Sequence, residues 1–144
     1  MNSPFRYALA ACALTAVFAA APAKAEMTMF KAALSGSEEV PAINSKATGA
    51  VDVTYDSAAK KLSWKGAYSG LTGAATGAHF HGPADAGKNA GVAVALGSAA
   101  SPLEGSAALT DAQAADLMAG KMYLNVHTAA NPNGEIRGQV VKAK

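Results

Sequence analysis

From Met27 onward the apolar side chains of this chain fall on alternate positions, in short runs broken by Gly, Pro, Asn and Asp. That period of two is the pattern of half-buried strands and leaves little room for helix. Ala50-Val51-Asp52-Val53-Thr54-Tyr55 puts Val51, Val53 and Tyr55 on one face. Asp56 to Lys60 then makes a turn, and Lys61 to Ser69 sends Leu62 and Trp64 inward while Lys61, Ser63 and Lys65 face water.

The same reading predicts strands over Met27–Leu34, Ala75–His81, Val92–Leu96, Leu103–Leu109, Lys121–His127 and Glu135–Val141. Together they make an all-β Greek-key sandwich or barrel of about eight strands. One segment has a different signature. Thr110-Asp111-Ala112-Gln113 has the form of a capping box, Ala112 to Met118 are good helix formers and Gly120 is a stop, which predicts one short helix between strands.

The N-terminus reads as a secretory signal peptide over residues 1–25: Arg6, the apolar run Ala8 to Ala21 and the small-residue pattern Ala23-Lys24-Ala25, with cleavage after Ala25. The run is about 14 residues, short of the ~20 that span a bilayer, so a soluble periplasmic or secreted domain over 26–144 is expected, with no membrane attachment after cleavage. Leu9-Ala10-Ala11-Cys12 matches the motif around a lipidated cysteine, but most of the apolar segment follows Cys12 instead of preceding it. Cleavage after Ala25 removes the sole cysteine, so the domain has no disulfide and depends on its core. Cleavage also removes Arg6 and Lys24 from the 12 basic residues and leaves all 10 acidic ones, so the domain is formally neutral. With no basic run longer than Lys60-Lys61, a nucleic-acid partner is not expected.

All three histidines lie in two short segments, Gly77-Ala78-His79-Phe80-His81-Gly82-Pro83 and Tyr123-Leu124-Asn125-Val126-His127-Thr128. In a strand His79 and His81 share a face, with Cβ atoms roughly 6 to 7 Å apart, and Phe80 points the other way. If Phe80, Leu124 and Val126 are core, His127 joins them on the outer face, beside Asn125 and Tyr123. Three imidazoles without a carboxylate cluster suit copper or zinc in an exported protein. The plainer reading is that they decorate a polar face and bond to backbone.

Around them, Glu135 and Arg137 read either as an exposed ion pair or as outer partners of the site. In the second case Glu135 or Asn125 orients an imidazole N–H and Arg137 attracts an anion. Met27 and Met29 share a strand face and read as core; as thioethers they are also ligands for cuprous ion. No serine has a partner base at a recognisable spacing, and no glycine-rich phosphate loop precedes the expected helix.

Several ordered motifs carry a resemblance: Leu34-Ser35-Gly36-Ser37-Glu38-Glu39-Val40-Pro41, Ala78-His79-Phe80-His81-Gly82-Pro83-Ala84, Leu109-Thr110 with Leu117 and Ala119-Gly120, Tyr123 to Thr128, and Asn133-Gly134-Glu135-Ile136-Arg137-Gly138. From about Met29 to Val140 the chain resembles the CHRD domain, named from chordin and found as a stand-alone exported bacterial protein. A looser resemblance is to copper-zinc superoxide dismutase, in which a His-x-His strand and a later strand histidine carry copper outside a Greek-key barrel and an arginine guides the anion. It implies a superoxide-dismutase-like fold, with copper at His79, His81 and His127 and the guiding role at Arg137. The chain departs from that pattern: it has no further histidine to bridge copper and zinc, no zinc-binding loop and no disulfide.

The leading expectation is an exported domain that binds one copper ion through His79, His81 and His127, for copper handling or weak redox chemistry, with zinc as the other candidate metal. The competing one is a metal-free module that binds a protein or polysaccharide through a strand face or sheet edge. A superoxide-consuming enzyme needs the first reading together with copper cycling and access for the anion.

Overall fold

The computed structural model describes residues 24–144, so Cys12 and nearly all of the expected signal peptide lie outside the described residues. The elements run β1 (Met27–Ser35), a 3-10 turn (Gly36–Glu38), β2 (Thr48–Asp56), β3 (Lys61–Ser69), β4 (Ala75–His81), β5 (Val92–Ala95), β6 (Leu103–Ala108), α1 (Asp111–Met118), β7 (Tyr123–Thr128), β8 (Ile136–Gln139) and β9 (Val141–Lys142). All described strand pairs are antiparallel, in the order β5-β4-β7-β8-β1-β2-β3-β6, with β9 added to β1. The connections β3–β4, β5–β6 and β6–β7 each join strands that are not neighbours in the sheet. The result is a Greek-key, nearly closed barrel of eight strands, as the sequence predicts.

The last expected strand, Glu135–Val141, is divided at Val140. Arg137 pairs with Ser35, Val141 with Lys31 and Lys142 with Phe30, so β8 and β9 keep one register along β1. Between them Val140 turns its N–H to the Met122 carbonyl instead. β9 is therefore a two-residue continuation of β8 and not an additional layer.

The interior is filled from alternate positions: Phe30, Ala32 and Leu34; Val51, Val53 and Tyr55; Leu62 and Trp64; Ala78 and Phe80; Leu124 and Val126; Ile136 and Val140. Trp64 meets Phe80 edge-on, with ring centroids 5.4 Å apart. The indole lies against Gly105, its cross-strand partner, where a Cβ would come within 2.6 Å of the ring.

Met27 and Met29 are a correction. They are 59% and 60% exposed, because register with β2 sets Phe30 opposite Val53 and Ala32 opposite Val51 and so assigns the other parity of β1 to the interior.

The capping box forms as expected: Thr110 Oγ1 accepts from Gln113 N–H, and Gln113 Oε1 accepts from Thr110 N–H. Gln113 Nε2 also donates to the Ala93 carbonyl on edge strand β5, while Ala114 and Leu117 are buried. The helix is thus tied to the β5 edge and packs Ala114 and Leu117 into the core. Among the described residues no helix is long and apolar enough to cross a membrane.

Candidate metal centre

Strands β4 and β7 are neighbours, with His79 opposite Asn125 and Gly77 opposite His127. Because Ala78, Phe80, Leu124 and Val126 point into the core, His79, His81 and His127 all stand on the outer face, as their spacing predicts. One nitrogen from each ring lies within 4.8 Å of the others. His79 Nδ1 and His127 Nε2 are 3.1 Å apart. Two nitrogens bound to one ion at ~2.0 Å stand about 3.3 Å apart in tetrahedral geometry, so this pair already has the required spacing and His81 needs a modest inward shift.

Backbone carbonyls set which nitrogens are free. His81 Nδ1 lies 3.0 Å from the Ala90 carbonyl and His127 Nδ1 lies 3.0 Å from that of Pro132. A carbonyl can only accept, so each Nδ1 carries the proton and each Nε2 keeps its lone pair. His81 Nε2 is buried and has no protein partner. Burial, and then the neighbouring His127, lower the His79 pKa; burial lowers that of His81 against the opposing hydrogen bond to Ala90. Both shifts favour neutral imidazole, the form that ligates a metal.

The exposed ion pair read for Glu135 and Arg137 is corrected by their burial, at 0% and 4% exposure. The segment between β1 and β2 folds over this face, and these residues hold it there. Glu135 accepts from Ser45 and Thr128 hydroxyls and from both the hydroxyl and the N–H of Thr72. Burial pushes its carboxyl upward, but the hydrogen bonds from Thr72, Ser45 and Thr128 outweigh that and bring it down to about 2. Arg137 Nε donates to the Glu38 carbonyl and Nη1 to Asn89 Oδ1. Asn125 Nδ2 donates to Glu39 Oε1. The Nδ1–H groups of His81 and His127 go to Ala90 and Pro132, while the hydrogen bonds of Asn125, Glu135 and Arg137 run to Glu39, Ser45 and Glu38 of the covering segment; the second sequence reading had Glu135 or Asn125 orienting an imidazole and Arg137 attracting an anion.

Three further residues, known from the sequence only as members of longer motifs or as neighbours of the histidines, stand around the centre. Gly77 leaves the space in which the His79 ring turns, since a Cβ there would lie 3.2 Å from His79 Cε1 and 4.0 Å from His127 Cδ2. Tyr123 stacks on His81 at 5.0 Å and 3°, and the Arg137 guanidinium carbon stands 4.3 Å from the same ring's centroid. Glu39 is buried beside Arg137, with 4.0 Å between Oε2 and Nε. Burial raises its pKa to about 7 against the opposing pull of Arg137 and Asn125.

Compared with known proteins, the chain matches the family model described as CHRD domain over residues 30–140. No curated protein and no solved structure gave a match.

Proposed function

The chain belongs to the CHRD domain family, and on the histidine cluster it carries we propose that it is an exported copper-binding domain, used for copper handling or weak redox chemistry. The observation that carries this reading is the convergence of the three imidazoles, two of them with Nδ1 tied to a carbonyl so that Nε2 keeps its lone pair toward the cluster. His81 and His127 would offer Nε2 and His79 would offer Nδ1.

An all-imidazole donor set suits copper and zinc, and three protein ligands leave a position open for water, an anion or a partner's ligand. Cuprous and cupric copper both accept imidazole, so the set is compatible with uptake, transfer or one-electron chemistry. Export follows from the signal-peptide reading of residues 1–25, and the compartment would be the periplasm or the outside of the cell.

The test is equilibrium titration of the domain, cut after Ala25 and free of any histidine tag, with Cu²⁺ and Zn²⁺ and with His127→Ala in parallel. One equivalent bound tightly, more tightly for copper, and lost in the variant supports the reading. Weak binding indifferent to His127 overturns it and leaves a metal-free interaction module.

A further inference from the structure

On the outer face of β1, β2, β3 and β6 the charges are sorted by strand. β2 presents Asp52 and Asp56 and no base, whereas β3 presents Lys61 and Lys65 and no acid. On either side of them, β1 sets Lys31 opposite Asp52, and β6 sets Glu104 opposite Lys65. Among the described residues none of these six groups is in an ion pair; the pairs present are Lys60 with Asp111, Lys121 with Asp85 and Arg137 with Glu39.

The same face carries Met27 and Met29, both more than half exposed. In the cross-strand rows that they begin, the far strand β6 ends in small groups, Ala108 and Ser106. Asp52, Lys61, Lys65 and Glu104 ring a shallow cavity of about 430 Å³ that is floored by Trp64 and Gly105, so this part of the wall is recessed and has room for long side chains from outside.

We propose that this face docks on a second copy of the chain, about a two-fold axis that runs along the strands between β2 and β3. The rotation lays the acidic strand of each copy on the basic strand of the other. It sets Asp52 against Lys65 and Asp56 against Lys61 of the second copy, and Lys31 against Glu104, each contact being made twice. A barrel wall curves away at its flanks, and the flanking charges are on the long side chains of Lys31 and Glu104, while both aspartates are central. Met27 comes over Ala108 and Met29 over Ser106, contacts that an unbranched thioether fills readily. An axis across the strands would instead lay β2 on β2 and β3 on β3, so like charges reject that arrangement. The face spans about 14 Å over four strands and about 26 Å along β2, which is well short of the ~800 Å² per partner of a standard interface and makes the dimer weak and reversible. None of the three histidines lies on these strands, so the dimer stands or falls separately from the copper reading.

The experiment is sedimentation velocity of the metal-free domain, cut after Ala25, from about 0.01 to 1 mM at low salt. Wild type should shift toward dimer over that range and return to monomer in about 0.5 M sodium chloride. Asp52→Lys alone and Lys65→Asp alone each bring like charges together and should weaken the dimer at least about tenfold. Mixed in equal amounts, the two variants should recover it as a mixed dimer, since each then meets the opposite charge on the other. Within each variant chain the altered pair keeps its like charges, so recovery cannot come from repair of the fold. Lys31→Glu and Glu104→Lys, on the flanking strands, make a second such set if a central variant fails to fold. Monomer at every concentration, a dimer that persists in the single variants, or no recovery on mixing would overturn the proposal.

Discussion

His79 Nδ1 stands 3.1 Å from His127 Nε2, although the two residues are 48 positions apart and lie on different strands. The contact is diagonal across the β4–β7 pair, and it exists because the residue directly opposite His127 is Gly77. Gly77→Ala therefore places a methyl against the His79 ring. The variant should fold with nearly unchanged thermal stability but bind metal about tenfold more weakly, as calorimetric titration would measure. An unchanged affinity would mean that the ring position is not set by Gly77.

The two faces of β4 should respond differently to truncation. Phe80 is fully buried and packs on Trp64, so Phe80→Ala should cost about 3 to 5 kcal/mol in urea unfolding. His79→Ala, on the outer face, should leave the metal-free protein within about 1 kcal/mol of wild type. Equal large losses would contradict the assignment of faces.

Glu135 links stability to acid. Its folded pKa, about 2, lies below the ordinary 4.5, so its contribution is present above about 4.5 and is lost as pH falls toward 2. Glu135→Gln should lose about 1.5 to 3 kcal/mol at pH 7 through its weakened hydrogen bonds. Its unfolding midpoint should also fall less steeply than wild type between pH 4.5 and 2.

Glu39 has the opposite sign. Raised to about 7, its neutral form is favoured by the fold, so its contribution is full below about 4.5 and is lost as pH rises through 7. Glu39→Gln, which keeps an acceptor for Asn125, should gain on wild type in melting temperature as pH goes from 5 to 8. A constant difference across that range would contradict the buried, protonated carboxyl.

Much of this was legible in the sequence, for local reasons. The alternation of Val51, Val53 and Tyr55, and of Leu62 and Trp64, encodes which face is buried, and the Thr110–Gln113 capping box encodes the start of α1. The histidine face followed from the parity of Phe80, Leu124 and Val126. β1 was ambiguous because Met27 and Met29 occupy one parity and Phe30, Ala32 and Leu34 the other; only pairing with β2 decides between them. The burial of Glu135 and Arg137 depends on a segment 90 or more residues earlier in the chain, and no local pattern records that. The carbonyls of Ala90 and Pro132 that orient the imidazoles have no sequence signature, since every residue carries one.

The account is tested most directly by the ring nitrogens themselves. Nitrogen-15 NMR of the histidine side chains, recorded without metal and with one equivalent of zinc or of cuprous copper, reports which nitrogen is protonated and which is bound. The account requires His81 and His127 to keep Nδ1–H and to bind through Nε2, with His79 bound through Nδ1, all three changing together at one equivalent. Rings that do not respond, or a response confined to one histidine, would contradict a shared three-histidine metal centre.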